Sequence, residues 1–294
     1  MNRIAALLGA DRPILLDGGM GTLLQDSGLQ DGAPGELWNL ENPDALRAAH
    51  AAYAQAGARL LTTNTFGGTR PRLDMHGLGD RVGDVNRTAA QLARSVADEH
   101  GLLVAGDLGP TGELLEPLGT LTHVEAQALF AEQLTALVEG GIDLVLVETL
   151  SDLGEADAAL AAAREVAPGL PVAVTMSFDT NLRTMMGVRP GDAVAHLAAA
   201  GADAAGANCG RGPEEMEIIA AEMVQSRAGD LLLVAQSNAG LPQVVGDHFE
   251  YDATAGDLAA HATRLAKLGI DLVGGCCGST PAHIAAMGAT LTPT

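Results

Sequence analysis

The stretch LVEGGIDLVLVETL, residues 137–150, carries one whole unit of the fold in fourteen residues. It leaves an amphipathic helix, passes two glycines, enters an apolar run and stops at Glu148-Thr149. Glycine directly after a helix is a stop signal, because only glycine takes the left-handed conformation without steric cost. A strand such as DLVLV, apolar on both faces, suits a parallel sheet covered by helices on both sides. The same glycine stop recurs in AQAGAR (54–59), LAAAGAD (197–203) and LAKLGID (265–271).

Working outward, eight strand candidates follow one another: PILLDGG (13–19), ARLLTTNTF (58–66), LLVAGDLGP (102–110), DLVLVET (143–149), PVAVTMSF (171–178), ADAAGANCG (202–210), LLLVAQSNAG (231–240) and DLVGGCCGS (271–279). Between them lie Ala-rich amphipathic stretches, among them 44–57, 122–140, 152–167, 213–227 and 255–268. Eight strand–helix units in 294 residues predict an α/β fold, a single (β/α)8 TIM barrel. An open doubly wound sheet is the alternative, since periodicity does not show closure. No linker or composition break interrupts the series, so residues 1–294 read as one domain.

Composition bounds the rest. With 47% hydrophobic and 18% charged residues the chain can bury a full core, and with 2% aromatics that core must be built from Leu, Val, Ile and Ala. A net charge of −21 repels nucleic acid and anionic membrane surfaces, so neither is expected as a partner. No apolar run approaches the length of a membrane span. IAALLGA (4–10) is at the lower limit for a signal peptide and runs into Asp11-Arg12-Pro13, so it reads as a short surface helix. Three cysteines, two of them adjacent, make no disulfide framework and fit a reducing cytoplasm.

In a barrel, chemistry collects at the C-terminal ends of the strands. Those ends read Asp17-Gly18-Gly19, Thr63-Asn64-Thr65, Asp107, Glu148-Thr149, Asn208-Cys209, Ser237-Asn238 and Cys276-Cys277, so every cysteine of the chain sits there. A lone cysteine at a strand end is ordinarily a small buried hydrophobe. A vicinal pair among glycines has little to pack against, and three thiols around one mouth can ligate a tetrahedral Zn2+ with one position open. Closed structural zinc sites show four ligands in paired spacing, which is absent here. An open zinc–thiolate site suits alkyl transfer to a thiol, since coordination keeps an incoming thiol deprotonated near neutral pH. The only lysine, Lys267, lies within a helix, which excludes Schiff-base and pyridoxal chemistry at the mouth.

Seven stretches in order, LLDGGMGTLL (15–24), TTNTFGG (62–68), GDLGPTGELLEPLG (106–119), LVETL (146–150), GANCGRGPEE (206–215), SNAGLP (237–242) and GGCCGSTPAHI (274–284), resemble the zinc-dependent homocysteine S-methyltransferases. That family includes the betaine- and S-methylmethionine-dependent enzymes and the homocysteine module of cobalamin-dependent methionine synthase, which GPTGELLEPLG and SNAGLP resemble most. The resemblance implies a (β/α)8 barrel, zinc on Cys209, Cys276 and Cys277, and homocysteine as the fourth ligand. It implies that Asp17 and Glu148 hold the substrate ammonium, with Gly18 and Gly19 offering backbone N–H groups to its carboxylate. Asn238 then fills the open zinc position in the absence of homocysteine, or serves a turn. Thr63 and Asn64 bind substrate or brace the rim.

The activity expected is methyl transfer from an activated donor to zinc-bound L-homocysteine, giving L-methionine. Donors in view are S-methylmethionine, betaine, and methyl-cobalamin or methyl-folate delivered by a separate protein. Scarce aromatics, with Trp38 and Tyr251 the few candidates, put a quaternary-ammonium cage and betaine last. Two other readings stay open: another thiol or selenol acceptor, and a non-catalytic zinc-binding barrel. His283 reads as a helix-surface residue or a support for the site, and Met185 and Met186 as loop or rim packing.

Overall fold

The computed structural model describes residues 2–9, 13–30, 32–245 and 248–291. Eight strands form one sheet: β1 (Ile14–Leu15), β2 (Leu60–Thr62), β3 (Leu103–Leu108), β4 (Leu144–Leu150), β5 (Val172–Met176), β6 (Ala204–Cys209), β7 (Leu232–Ser237) and β8 (Leu272–Gly275). All neighbours are parallel, in the order β1-β8-β7-β6-β5-β4-β3-β2, with helices on the outside between them. This is a nearly closed (β/α)8 barrel. At the remaining seam between β1 and β2 the Arg59 N–H donates to the Leu15 carbonyl at 2.9 Å. Higher up the seam, the Asp17 carboxylate takes the Thr62 N–H and hydroxyl at 2.6 and 2.8 Å. A side chain thus does at this seam what ladder hydrogen bonds do elsewhere.

The helix stops behave as their sequence requires. Gly57, Gly141, Gly201 and Gly269 take φ of +96°, +95°, +88° and +99°, all left-handed. The expected helices form at Pro43–Gln55, His123–Gly140, Leu153–Val166, Pro213–Gln225 and Ala255–Leu268.

Alternation along the strands sorts the core into two layers. On β4, Leu144 and Leu146 join an interior cluster with Leu16, Leu60, Ala105, Ala173 and Val234. Val145 and Val147 face outward into the larger cluster shared with the helices. Alanines on the helix Leu153–Val166, such as Ala156, Ala159 and Ala163, are fully or almost fully buried there, so helix and sheet approach closely where aromatics are few.

The N-terminal segment departs in part from expectation. A helix does form at the surface, over Arg3–Leu8, with Arg3, Ala6 and Leu7 exposed, but its other face is structural: Ile4 and Leu8 are buried in the interior cluster of the barrel. Asn2 fixes it, its Oδ1 accepting from the Ile4 and Ala5 N–H groups and its Nδ2 donating to the Asp203 and Asp230 carbonyls. The helix closes the N-terminal end of the barrel. Residue 10 of the quoted stretch lies outside the described residues. Among the described residues no helix is long and apolar enough to cross a membrane.

Candidate active site

Register brings the cysteines together. Cys209 at the end of β6 pairs with Ser237 of β7, and Ser237 pairs with Gly275 of β8. Cys276 follows Gly275, and its N–H is tied to the Ser237 carbonyl at 2.9 Å. The Cys277 carbonyl accepts from the Ala239 N–H at 2.9 Å. As a result the Cys209 and Cys276 sulfurs stand 2.9 Å apart, and all three Sγ atoms lie within 4.8 Å of one another, each a free thiol. Tetrahedral zinc with Zn–S of about 2.3 Å needs S···S separations of about 3.8 Å, inside the range that this triad spans.

Three thiols this close cannot all ionise without a cation among them. Hydrogen bonds from Cys209 and Cys276 pull Cys277 down to about 3. Cys276 is pushed well above its ordinary value by its hydrogen bonds to Cys209 and Cys277 and by burial. Cys209 ends high as well, because Cys277 and burial outweigh the lowering effect of Cys276. A cation would remove that conflict, so this donor set fits a soft divalent metal.

The triad forms one wall of a cavity of about 310 Å³. Asp17, Gly18, Gly19, Thr63, Asn64 and Glu148 line the same cavity, so six of the seven proposed substrate residues meet there. Asn238 is absent from the lining. It sits at the end of β7, between the strands that carry Cys209 and Cys276; its Nδ2 donates to the Gly210 carbonyl, and its buried Oδ1 has no partner.

The acids are poorly compensated. Burial raises Asp17 to about 6 against the lowering hydrogen bonds from Thr62. Burial also raises Glu148 to about 8, helped by the negative charges of Asp17 and Cys277. Asp107, also in the lining and only 2% exposed, is pushed well up by burial and then by Glu148, Glu36 and Asp17, and its buried Oδ1 has no partner. Among the described residues four carboxylates (Asp17, Glu36, Asp107 and Glu148) line the cavity, and no lysine or arginine does.

Other polar groups of the rim are already committed. The Thr63 hydroxyl bonds Thr65 and accepts the Asp107 N–H, while the Asn64 amide donates to the Gly35 carbonyl and to Asn39. Gly19 donates its N–H to the Ser279 carbonyl at 3.1 Å, so of the two expected glycine donors only Gly18 keeps a free N–H. A Cβ on Gly19 would stand 2.6 Å from the Cys276 carbonyl oxygen; the cysteine turn can close only over glycine. His283 accepts from Thr280 at Nδ1 and bonds the Ala253 carbonyl at Nε2, a brace and not a ligand. Trp38 packs against the cluster of Leu24, Leu29, Leu46 and Ala49, of which Leu29 lines the cavity, but is not itself in the lining. Met185 is 64% exposed, so the packing expected of it is not seen.

Among the lining residues that the sequence alone leaves without a role are Glu36, Asp107 and Gln236. Asp107 and Gln236 carry a signal, since they are polar residues in the last positions of otherwise apolar strands. Glu36 carries none, as it reaches the cavity from a 3-10 turn distant from any strand end.

A sequence profile described as homocysteine S-methyltransferase matches residues 14–291. The chain belongs to that family. Among curated relatives it is 35% identical over 291 residues to the methionine synthase of Mycobacterium leprae (strain TN), covering 94% of this chain and 24% of that one. The chain thus spans about a quarter of the length of the curated relatives it matches. Among solved structures, the metallated form of the homocysteine methyltransferase MmuM from Escherichia coli superposes with a TM-score of 0.81 at 27% identity, covering 97% of this chain and 99% of that one. The apo form of the same protein gives 0.76 at 26% identity, over 98% and 99%.

Proposed function

We propose that residues 1–294 work as one homocysteine-binding barrel that transfers a methyl group from an activated donor to L-homocysteine, giving L-methionine, with zinc held by Cys209, Cys276 and Cys277. The observation that carries this reading is the triad of free thiols within 4.8 Å in one wall of an acid-lined cavity. Zinc, when bound, supplies the means to keep an incoming thiol deprotonated near neutral pH while a sulfur lone pair stays available.

The residues around it do the rest. Glu148 and Asp17 receive the substrate ammonium, whose charge offsets the cost of their burial. The Gly18 N–H is placed for the carboxylate, and the orphaned Asn238 Oδ1 is free to take the open zinc position when no substrate is there. The cavity aligns sulfur, methyl and leaving group for an in-line displacement. One S–CH3 bond forms as the bond from methyl to donor breaks, and the donor leaves with that electron pair. The thiol proton has gone to solvent beforehand, so no general base acts at the transfer step.

A lining with four carboxylates and no lysine or arginine among the described residues favours a cationic methyl donor such as S-methylmethionine over an anionic folate. Among the described residues Phe66 is the one aromatic in the lining, and Tyr251 stands beside the triad, its side chain hydrogen-bonded to Cys277; two rings fall short of a several-sided cage, which leaves betaine last. Free thiols persist in a reducing compartment, which supports the cytoplasm as its place. The test is metal analysis followed by a donor panel: zinc-loaded chain, homocysteine, and S-methylmethionine, betaine, methylcobalamin or methyl-folate, with methionine as the readout. Absence of zinc at the triad, or no methionine with any donor, overturns the reading.

A further inference from the structure

One side chain ties the ends of four strands together beside the thiols. Asn208, the penultimate residue of β6, is 1% exposed. Its Oδ1 accepts from the Thr149 N–H on β4 at 2.9 Å and from the Thr175 hydroxyl on β5 at 2.8 Å. Its Nδ2 donates to Thr149 Oγ1 at 2.6 Å, and reaches the sulfurs of Cys209 and of Cys276, just past β8, at 3.9 and 4.0 Å. Sulfur is a large, soft acceptor, so N–H···S contacts run longer than N–H···O ones, and these two are at the long end.

The backbone on either side is strained. Thr149 and Cys209 have φ of +62° and +58°, a conformation that strains non-glycine residues and is a marked outlier for a β-branched one. Strain of that kind persists where the surroundings over-determine it, and here one amide grips the N–H and hydroxyl of Thr149 and adjoins Cys209 in sequence. A residue serving only to fill the space between strands would need no N–H aimed at sulfur.

We propose that Asn208 is a positioning residue for the thiol triad: its amide holds Cys209 and Cys276 in one orientation and, through N–H···S bonds, draws charge from the two sulfurs when they ligate the metal. The role rests on the zinc reading above. Hydrogen-bond donors outside the ligand set orient ligands and set how much charge they pass to the metal. Less charge from the protein sulfurs leaves more demand for charge from the substrate thiol, so the site grips homocysteine more firmly.

The decisive variant is Asn208→Asp. It keeps the size of the side chain and the Oδ1 that serves Thr149 and Thr175, and puts an acceptor that adds a negative charge where the N–H donor was; Thr175→Val, which adds no charge, separates loss of the donor from that charge. With Co(II) as the probe metal, the variant should still take up one equivalent, with its sulfur-to-cobalt charge-transfer band moved to longer wavelength. KM for homocysteine should rise about 10-fold or more, the scale expected when a metal ligand loses such a partner, with a smaller loss in kcat. Thr175→Val, which removes one donor to Oδ1 but keeps the amide, should shift the band and KM in the same direction by less. It carries the test alone if Asn208→Asp does not fold. An unchanged band and KM in the folded variant sink the role while leaving the zinc reading intact. Wild-type chain that takes up no Co(II) sinks both.

Discussion

The two ends of the barrel treat their acids in opposite ways. At the N-terminal end Asp143, Asp203 and Asp271 each stand two residues after a helix-stopping glycine, at the start of β4, β6 and β8. Each accepts an N–H from the first or second residue of a neighbouring strand, Val104, Val172 and Leu233. Each also pairs with an arginine: Arg94 at 2.6 Å, Arg3 at 2.6 Å and Arg227 at 2.8 Å. At the C-terminal end Asp17, Asp107 and Glu148 are buried or nearly so, and among the described residues none of them pairs with a cation. An acid with its cation built in contributes stability, whereas a buried acid without one costs stability and attracts a cation from outside. The same residue type therefore serves the fold at one end and the ligand at the other.

The largest effect should come from the thiols. Cys276→Ala should abolish tight zinc binding and lower methyl transfer by far more than the roughly 10–100-fold that loss of an outer partner costs. Circular dichroism should show an intact barrel, because the core clusters do not include this residue. Retained zinc stoichiometry in this variant would place the metal elsewhere and dissolve the contrast between the two ends. Next comes Glu148→Gln. Losing a charge-assisted hydrogen bond of about 1.5–3 kcal/mol should raise KM for homocysteine roughly 10–100-fold with zinc content unchanged. A thiol acceptor that lacks the amino group should feel much less of this change, and equal losses for both acceptors would remove the ammonium from the account.

What the sequence shows, and what it hides, divides along the same line. The strand–helix alternation, the glycine stops and the gathering of Cys209, Cys276 and Cys277 at strand ends are local or periodic properties, so the order of residues is enough to reveal them. The N-terminal helix shows its exposed face in the sequence but not its buried one, which depends on which ring of strands closes above Ile4 and Leu8. Gly19 reads as a free donor because its partner, the Ser279 carbonyl, lies 260 positions away in the chain. Asp107 stands out as a strand-end acid, yet its isolation from any cation is a fact of three dimensions. The arginines that complete the other end give no signal either: Arg3 lies 200 positions from Asp203.

Asp203→Ala tests the stabilising end. It breaks the Arg3 pair and leaves the Val172 N–H without its acceptor, which should cost about 1–3 kcal/mol. At about 2–4 °C per kcal/mol for a large domain, Tm should fall by several degrees. Homocysteine KM of the folded fraction should not move, since the whole barrel lies between this residue and the cavity. A change in KM without a change in Tm would reverse the roles assigned to the two ends.

The smallest effect has the opposite sign. Asp107→Asn keeps the shape of the side chain and removes an acid that burial and three neighbouring carboxylates hold well above its ordinary 3.8. The folded chain therefore binds that proton more tightly than the unfolded chain does. The stability it lends is complete below about 3.8 and is lost as pH rises toward the folded-state value. The variant has no such proton to lose. Near pH 3.8 and below, the two proteins should melt together or the wild type slightly higher; toward alkaline pH the variant should gain, by about 2 °C if the charge costs about 1 kcal/mol. Thermal melts in the absence of homocysteine at several pH values measure this. A variant less stable than wild type at alkaline pH would mean that Asp107 has a cationic partner after all, and the two ends of the barrel would no longer differ in kind.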